Sequence, residues 1–372
     1  MRFPSVDMSD PRSILAALVG TRVMLTLVGL VSLAVMPRAV PTFDLVPDTP
    51  WLSLWSRYDS QYYLEIARDG YSFSPGRYSN AAFFPLYSLL IKLGSFVVGR
   101  SDPHALTFLG FVISNVCLFV ALLYLAALVT RDFGVGAARR AVVYTLVFPT
   151  TLFLSAVYAE SLFLATAIAS FYHARRGEWY RAGLAGGLAA LTRPFGFLLI
   201  LPIAIEMWRQ RPGIRAFPAL GLVPAGTATF LAYLWWRFND PLLYVKANNV
   251  WGREFAWPWD TFLGFLREPL VVFGWTRSVF DLAFVVAMTV LAVVAWRRLP
   301  ASYAAFLTVG LLFTLSTGVW ISTPRHALAL FPLTILLAVW GERRAFHWVW
   351  LVLSVTLALG FMARFASGHW TA

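Results

Sequence analysis

Apolar residues gather in runs of about twenty, and short arginine-bearing turns separate the runs. Runs of that length suit helices crossing a bilayer. The first covers residues 13–36 and is long enough to stay in the membrane rather than act as a cleaved leader. A polar stretch follows, rich in Pro, Asp, Trp and Tyr. With the arginine-bearing N-terminus placed inside, this stretch faces outside, and the external segment spans residues 37–104. Further spans are expected at 105–130, 217–237, 279–296, 301–319, 325–340 and 346–366. Two hairpins of short helices are expected within 141–174 and 182–208, because arginines bound each at both ends. The total is eleven.

The run 81–99 has two readings. If it crosses, Arg131, Arg139 and Arg140 fall outside, against the positive-inside tendency. If it lies flat on the outer surface, those arginines are inside. Pro85 and Lys92 also suit an interfacial helix, and the flat reading is adopted. A second external segment, 239–278, carries Trp251, Trp257, Trp259 and Trp275. There is no tandem repeat and no soluble domain, so residues 1–372 form one integral membrane domain.

Composition agrees. Of 372 residues, 59% are hydrophobic and 13% charged; a soluble domain has about a quarter charged. A soluble enzyme is excluded. The formal charge of +12 comes from arginine, since only Lys92 and Lys246 are lysines. Half of the 30 basic residues fall in the inside turns, Arg2 and Arg12 among them. The charge is therefore a topology signal and not a nucleic-acid footprint. The single cysteine, Cys117, gives no disulfide framework. There is no GxxxxGK[ST], no HExxH and no GxSxG, and the five histidines lack metal-ligand spacing. No cofactor and no metal are expected.

Candidate chemistry sits in the outer segments, because the inside turns are too short to build a site. Asp59 precedes a helix with Tyr62, Tyr63 and Ile66 on one stripe and Gly70 as its stop. It is either a helix cap or a base near the membrane surface, with Arg57 beside it for a phosphate. Glu160 lies in a hairpin turn, where an ionisable group is costly and so a functional candidate. Its alternatives are a cap or a partner for Arg193. Arg193 and the pair Arg325-His326 occupy two further outer turns. Each arginine offers a planar fork for phosphate oxygens or a simple interface anchor.

These residues carry a resemblance. The run Arg57-Tyr58-Asp59 through Ala67 to Gly70-Tyr71, followed by Ala82-Phe83-Phe84-Pro85, is similar to the PIG-V family of mannosyltransferases and its bacterial relatives. The stretch Ser155-Ala-Val-Tyr158-Ala-Glu160, then Leu191-Thr192-Arg193 with Gly196, and Pro324-Arg325-His326 extend the likeness to about Pro332. Tyr58 replaces a family tryptophan and Ser88 a common proline.

The resemblance implies an all-α polytopic membrane protein with the GT-C glycosyltransferase fold and amphipathic helices in a long first external loop. It also implies an inverting hexosyltransferase using a polyprenyl-phosphate sugar, mannose above all; the outer segments that hold the candidate residues put its action on the outer face, and the preference for arginine over lysine points to a bacterial cell membrane. The acceptor would be a glycan, glycolipid or protein. Under this reading Asp59 and Glu160 are catalytic, and Arg57, Arg193, Arg325 and His326 bind the donor phosphate. Trp55, Tyr62, Tyr63, Asp69 and Tyr158 bind substrate. Two rival classes are a lipid-linked sugar transporter, which would show inverted repeats and midplane sites, and a non-catalytic assembly subunit.

Overall fold

The computed structural model describes residues 10–39, 44–267 and 269–371. Arg2, counted above as an inside arginine, lies outside them. The described residues form helices and one isolated bridge, between Val271 and Ser278.

Helix α1 (Pro11–Val35) starts with Pro11 in its first turn, and the Asp10 carboxylate accepts from the Ser13 amide at 3.3 Å. A four-residue turn α2 (Pro50–Ser53), helix α3 (Ser60–Asp69) and helix α4 (Leu86–Val98) make up the first external segment. Gly70 closes α3 with φ 86°. At 13 residues α4 rises about 20 Å, too little to cross a bilayer core of about 30 Å. It buries Tyr87 and Ile91 while Leu93, Phe96 and Val97 are exposed. Helix α5 (Pro103–Phe133) follows, capped by Asp102.

Two hairpins form where expected. The first joins α6 (Val135–Leu146) to α7 (Glu160–Arg175). The second joins α8 (Trp179–Ala190), a short 3-10 turn at Pro194–Leu199, and α9 (Ile200–Gln210). Pro194 explains the break in the second: it holds Arg193 extended, at φ −156° and ψ 153°. Gly196 then lies against the α8 backbone, where a Cβ would come within 2.2 Å of Ala190 N. Helix α10 (Leu222–Phe238) packs as tightly on α8: a Cβ on Gly226 would sit 2.2 Å from the Gly187 carbonyl oxygen.

The second external segment holds α11 (Leu243–Asn249) and α12 (Pro258–Leu266). Helices α13 (Val279–Arg298), α14 (Ala301–Leu315), α15 (Thr323–Ala329), α16 (Phe331–Trp340) and α17 (Arg344–Ala366) complete the chain. The expected straight span 325–340 is instead the pair α15 and α16, bent by 77°. Pro332 opens the second limb, where its missing N–H and fixed φ are tolerated.

Eleven full-length spans are not reached. Among the described residues five helices are long and apolar enough to cross, or six if the bent pair is one span. The others are shorter: α6 and α8 have 12 residues each, α9 has 11 and α14 has 15. Inside that bundle Arg22 of α1, 5% exposed, donates to the carbonyls of Leu146 (3.1 Å) and Thr151 (2.9 Å). It thereby holds the α6–α7 turn, a role its place in an apolar run had hidden.

The opposite end gathers the arginine-rich turns. Arg175 forks onto Asp132 (2.9 and 3.0 Å) and contacts Glu206 at 3.2 Å. Tyr303 donates to Asp132 at 2.7 Å, and Ser302 to Glu206 at 2.6 Å. Glu160 begins α7 and Arg175 ends it, so this cluster and the site below stand about 22 Å apart along one helix.

Candidate active site

Two backbone ties hold the segments that bear the candidate residues. The Val157 amide donates to the Trp55 carbonyl at 2.9 Å, and the Leu86 amide to the Leu191 carbonyl at 3.1 Å. Tyr158 adds a third: its hydroxyl donates to the Arg57 carbonyl at 2.9 Å and accepts from the Asp59 amide at 3.2 Å. Tyr58 sits at φ 52°, an uncommon backbone state for a side chain of its size. Ser88, where the family resemblance has proline, donates to the Tyr63 carbonyl at 2.9 Å and so links α4 to α3.

Asp59 makes no capping bond to α3. Its Oδ2 instead accepts from Arg325 Nη1 at 2.7 Å. Arg325 Nε donates to Glu160 Oε1 at 2.7 Å, and Arg193 pairs with that same oxygen. The order is therefore Asp59, Arg325, Glu160, Arg193, with charges alternating. All four side chains are at most 15% exposed. Buried charges need partners of this kind, since removing one partner strands the other at low dielectric. The Arg325 guanidinium also lies over the rings of Tyr158 (4.6 Å) and Phe153 (4.9 Å), a cation–π arrangement. Glu160 Oε2 and His326 Nδ1 are buried and have no hydrogen-bond partner among the described residues.

This chain of charges opens into a cavity lined by Asp59, Tyr63, Arg193, Arg253, Arg325 and His326 with several aromatic neighbours. A second, aromatic cavity adjoins it, walled by Tyr58, Tyr62, Tyr78, Trp251, Trp275 and Trp370. Asp59, Trp251, Trp275 and Trp370 line both. Trp251 and Trp275 stack with centroids 5.7 Å apart, and Trp275 meets Trp370 at 4.2 Å. Burial pushes the Tyr62 hydroxyl up to about 12, so it stays neutral as a ring surface and hydrogen-bond donor.

The structure thus brings together Asp59, Glu160, Arg193, Arg325, His326, Tyr62, Tyr63 and Tyr158. Three expected residues lie elsewhere. Arg57 pairs with Asp44 at 2.9 Å, donates to the Ala366 carbonyl at 3.2 Å, and lines neither cavity. Trp55 is fully buried against Phe111. Asp69 pairs with Arg68 on the surface at 2.8 Å and is 59% exposed. Sequence reasoning missed Arg253, Trp370 and Asn248, which line the first cavity. The tryptophans of the second external segment were a signal. Nothing in spacing linked Arg253 to Asp59.

Known proteins fit this picture. A family model described as Mannosyltransferase (PIG-V) matches residues 43–208. GPI alpha-1,6-mannosyltransferase 2 of Rattus norvegicus is 30% identical over 152 residues, 39% of this chain and 30% of that protein. The Mus musculus counterpart is 30% identical over 153 residues, 38% of this chain and 29% of that protein. The chain thus matches less than a third of the length of these relatives. In fold it is similar to ArnT from Cupriavidus metallidurans bound to undecaprenyl phosphate, with TM-score 0.54 and 15% identity over 93% of this chain and 64% of that one. The segment that the mannosyltransferase (PIG-V) family model matches, 43–208, is the one that holds Asp59, Glu160 and Arg193.

Proposed function

We propose that this protein is an inverting glycosyltransferase, moving mannose from a polyprenyl-phosphate donor to an acceptor hydroxyl on the outer face of a bacterial cell membrane. One observation carries the reading: the Asp59 carboxylate stands where a cationic cavity meets an aromatic one. A sugar phosphate suits the first. The apolar face of an acceptor sugar suits the second, where Tyr62, Trp251 and Trp275 present rings.

In the reaction the acceptor oxygen attacks the anomeric carbon. The bond from that carbon to the phosphate oxygen breaks, and polyprenyl phosphate leaves with the electron pair. Asp59 takes the acceptor proton as general base. The negative charge that grows on the phosphate is met by donors already in place, which avoids reorganisation during the step. Glu160 holds Arg193 and Arg325 at their posts. The name of the curated relatives supports the sugar, and the undecaprenyl phosphate bound to ArnT supports the lipid. The arginine-rich cluster at the far end supports the outward orientation of the site.

The test is transfer of labelled mannose from polyprenyl-phosphate mannose to glycan, glycolipid and peptide acceptors in proteoliposomes. Wild type transfers and Asp59→Asn does not. An Asp59→Asn protein that folds and transfers at the wild-type rate overturns the assignment of the base. A wild type that moves the lipid-linked sugar across the bilayer without transferring it is a transporter.

A further inference from the structure

The ionic cavity contains more positive charge than its own carboxylates neutralise. Arg193 and Arg325 are both held by Glu160, and Arg325 also by Asp59. Two cations therefore face two anions. Arg253 is the third arginine in the cavity lining. It is partly buried, and its one hydrogen bond found among the described residues runs from Nη2 to the Ile321 carbonyl at a long 3.4 Å. Burial pushes its pKa down; Tyr244 and Asp59 pull it up, while Arg325 and Arg193 crowd it with like charge. Among the described residues no carboxylate forms an ion pair with it.

Its position is fixed by backbone, not by a counter-ion. The Arg253 amide donates to the Asn248 carbonyl at 3.2 Å. On the next residues, the Glu254 amide donates to the Thr317 carbonyl (3.2 Å) and the Ala256 amide to the Ser316 carbonyl (3.1 Å). The segment following α11 is thus strapped to the end of α14, and these main-chain bonds, with the long side-chain bond to the Ile321 carbonyl, present the arginine to the cavity. A guanidinium held so at a cavity wall, beside two arginines already paired with carboxylates, suits an anionic ligand.

We propose that Arg253 is the counter-charge for the phosphodiester of the lipid-linked donor, while Arg193 and Arg325 remain bound to Glu160 and Asp59. The proposal rests on the glycosyltransferase reading. The donor phosphodiester carries one negative charge, and Arg253 matches it in the ground state. When the bond to the sugar breaks, the phosphate gains a second negative charge and Asp59 loses its own by taking the acceptor proton. That frees Arg325 from Asp59 at the moment the leaving group needs a second cation.

The experiment uses the full chain in proteoliposomes, with Arg253→Gln and Arg253→Lys. Arg253→Gln raises both the donor KM and the inhibition constant of undecaprenyl phosphate about tenfold or more, as expected for a lost charge-assisted bond. The acceptor KM stays within about twofold, and Arg253→Lys recovers part of the loss, on the order expected for a point charge without the planar fork. A merely structural role raises donor and acceptor KM together and overturns the proposal, as do unchanged donor constants. A second measurement needs no variant. In wild type, undecaprenyl phosphate protects Arg253 from dicarbonyl labelling mapped by mass spectrometry; equal labelling with and without the lipid overturns the proposal. Absence of transfer with intact protection sinks the enzymatic reading and leaves the anion site standing.

Discussion

Asp59 and Arg325 stand 266 positions apart in the chain and meet at 2.7 Å. The contact joins the start of α3 to α15, and it ties a carboxylate proposed as base to a cation proposed to serve the leaving group. Removing the acid while keeping its shape separates the two roles. Asp59→Asn lowers turnover by about 10²–10⁴-fold, the usual range for a general base, while the inhibition constant for undecaprenyl phosphate changes little. Steady-state kinetics in proteoliposomes read both quantities. A matching loss of affinity for the lipid would make Asp59 a structural partner only.

Glu160 is expected to matter more for folding than Asp59. It is 1% exposed and faces two arginines. Glu160→Gln takes from Arg193 the carboxylate it pairs with, a loss of about 3–5 kcal/mol for a buried pair broken on one side. Thermal unfolding in detergent should show a clearly lower midpoint for Glu160→Gln than for Asp59→Asn. Equal midpoints would contradict the order of burial.

The aromatic cavity makes a separate prediction. Tyr62→Ala and Tyr78→Ala remove rings that wall it and that do not line the ionic cavity. Each should raise the acceptor KM by roughly 5–100-fold, using about 1–3 kcal/mol for a lost aromatic contact of the kind seen in base stacking. The donor KM should stay within about twofold. If only the donor constant moves, the two cavities have been assigned in the wrong order.

Acid lability should trace in part to Asp44. Burial pushes its carboxyl up, but the Ser53 hydroxyl and the Arg57 guanidinium outweigh burial and hold it below its ordinary 3.8. A carboxylate depressed on folding stabilises the folded state above its unfolded pKa. That contribution is lost as pH falls through the folded value. Unfolding midpoints measured from about pH 6 down to about pH 3 should fall less steeply in Asp44→Asn than in wild type, because the titrating carboxylate, ordinarily near 3.9, is gone. Parallel curves would assign the acid sensitivity elsewhere.

The close approach of α8 and α10 gives a stability test away from the site. A Cβ on Gly226 meets the Gly187 carbonyl oxygen at 2.2 Å, which a backbone cannot yield to cheaply. Gly226→Ala should lower stability by about 1–3 kcal/mol or more, read as a lower unfolding midpoint. An unchanged midpoint would show that the two helices can part without loss.

Much of this was legible from local pattern. Apolar runs located α1, α5, α13 and α17, and Pro194 marked the break that presents Arg193. Asp59, Glu160 and Arg193 stood out because a charge among apolar neighbours is costly enough to need a reason. What escaped were relations set only by packing. Arg57 looked like a neighbour of Asp59, yet it turns to Asp44, because successive residues on a turn point to different sides. Trp370 reaches the cavity through a tail that returns after α17, where the Ser367 carbonyl accepts from the Ala39 amide at 3.0 Å. Arg253 was silent since its partners are carbonyls, which every residue carries.

The shortness of the helices that end at the site has a consequence for where a lipid substrate would be handled. Helices α6 and α8 have 12 residues each and rise about 18 Å, less than the hydrocarbon thickness. On the proposed orientation, the floor of the ionic cavity would then lie at a depth that acyl chains occupy. Extracting an isoprenoid tail into water would cost about 0.8 kcal/mol for each methylene exposed. A floor sunk to this level would let the tail of the proposed donor remain dissolved in the bilayer while the headgroup alone exchanged lipid for protein, so that solubility of the donor would set no limit on turnover.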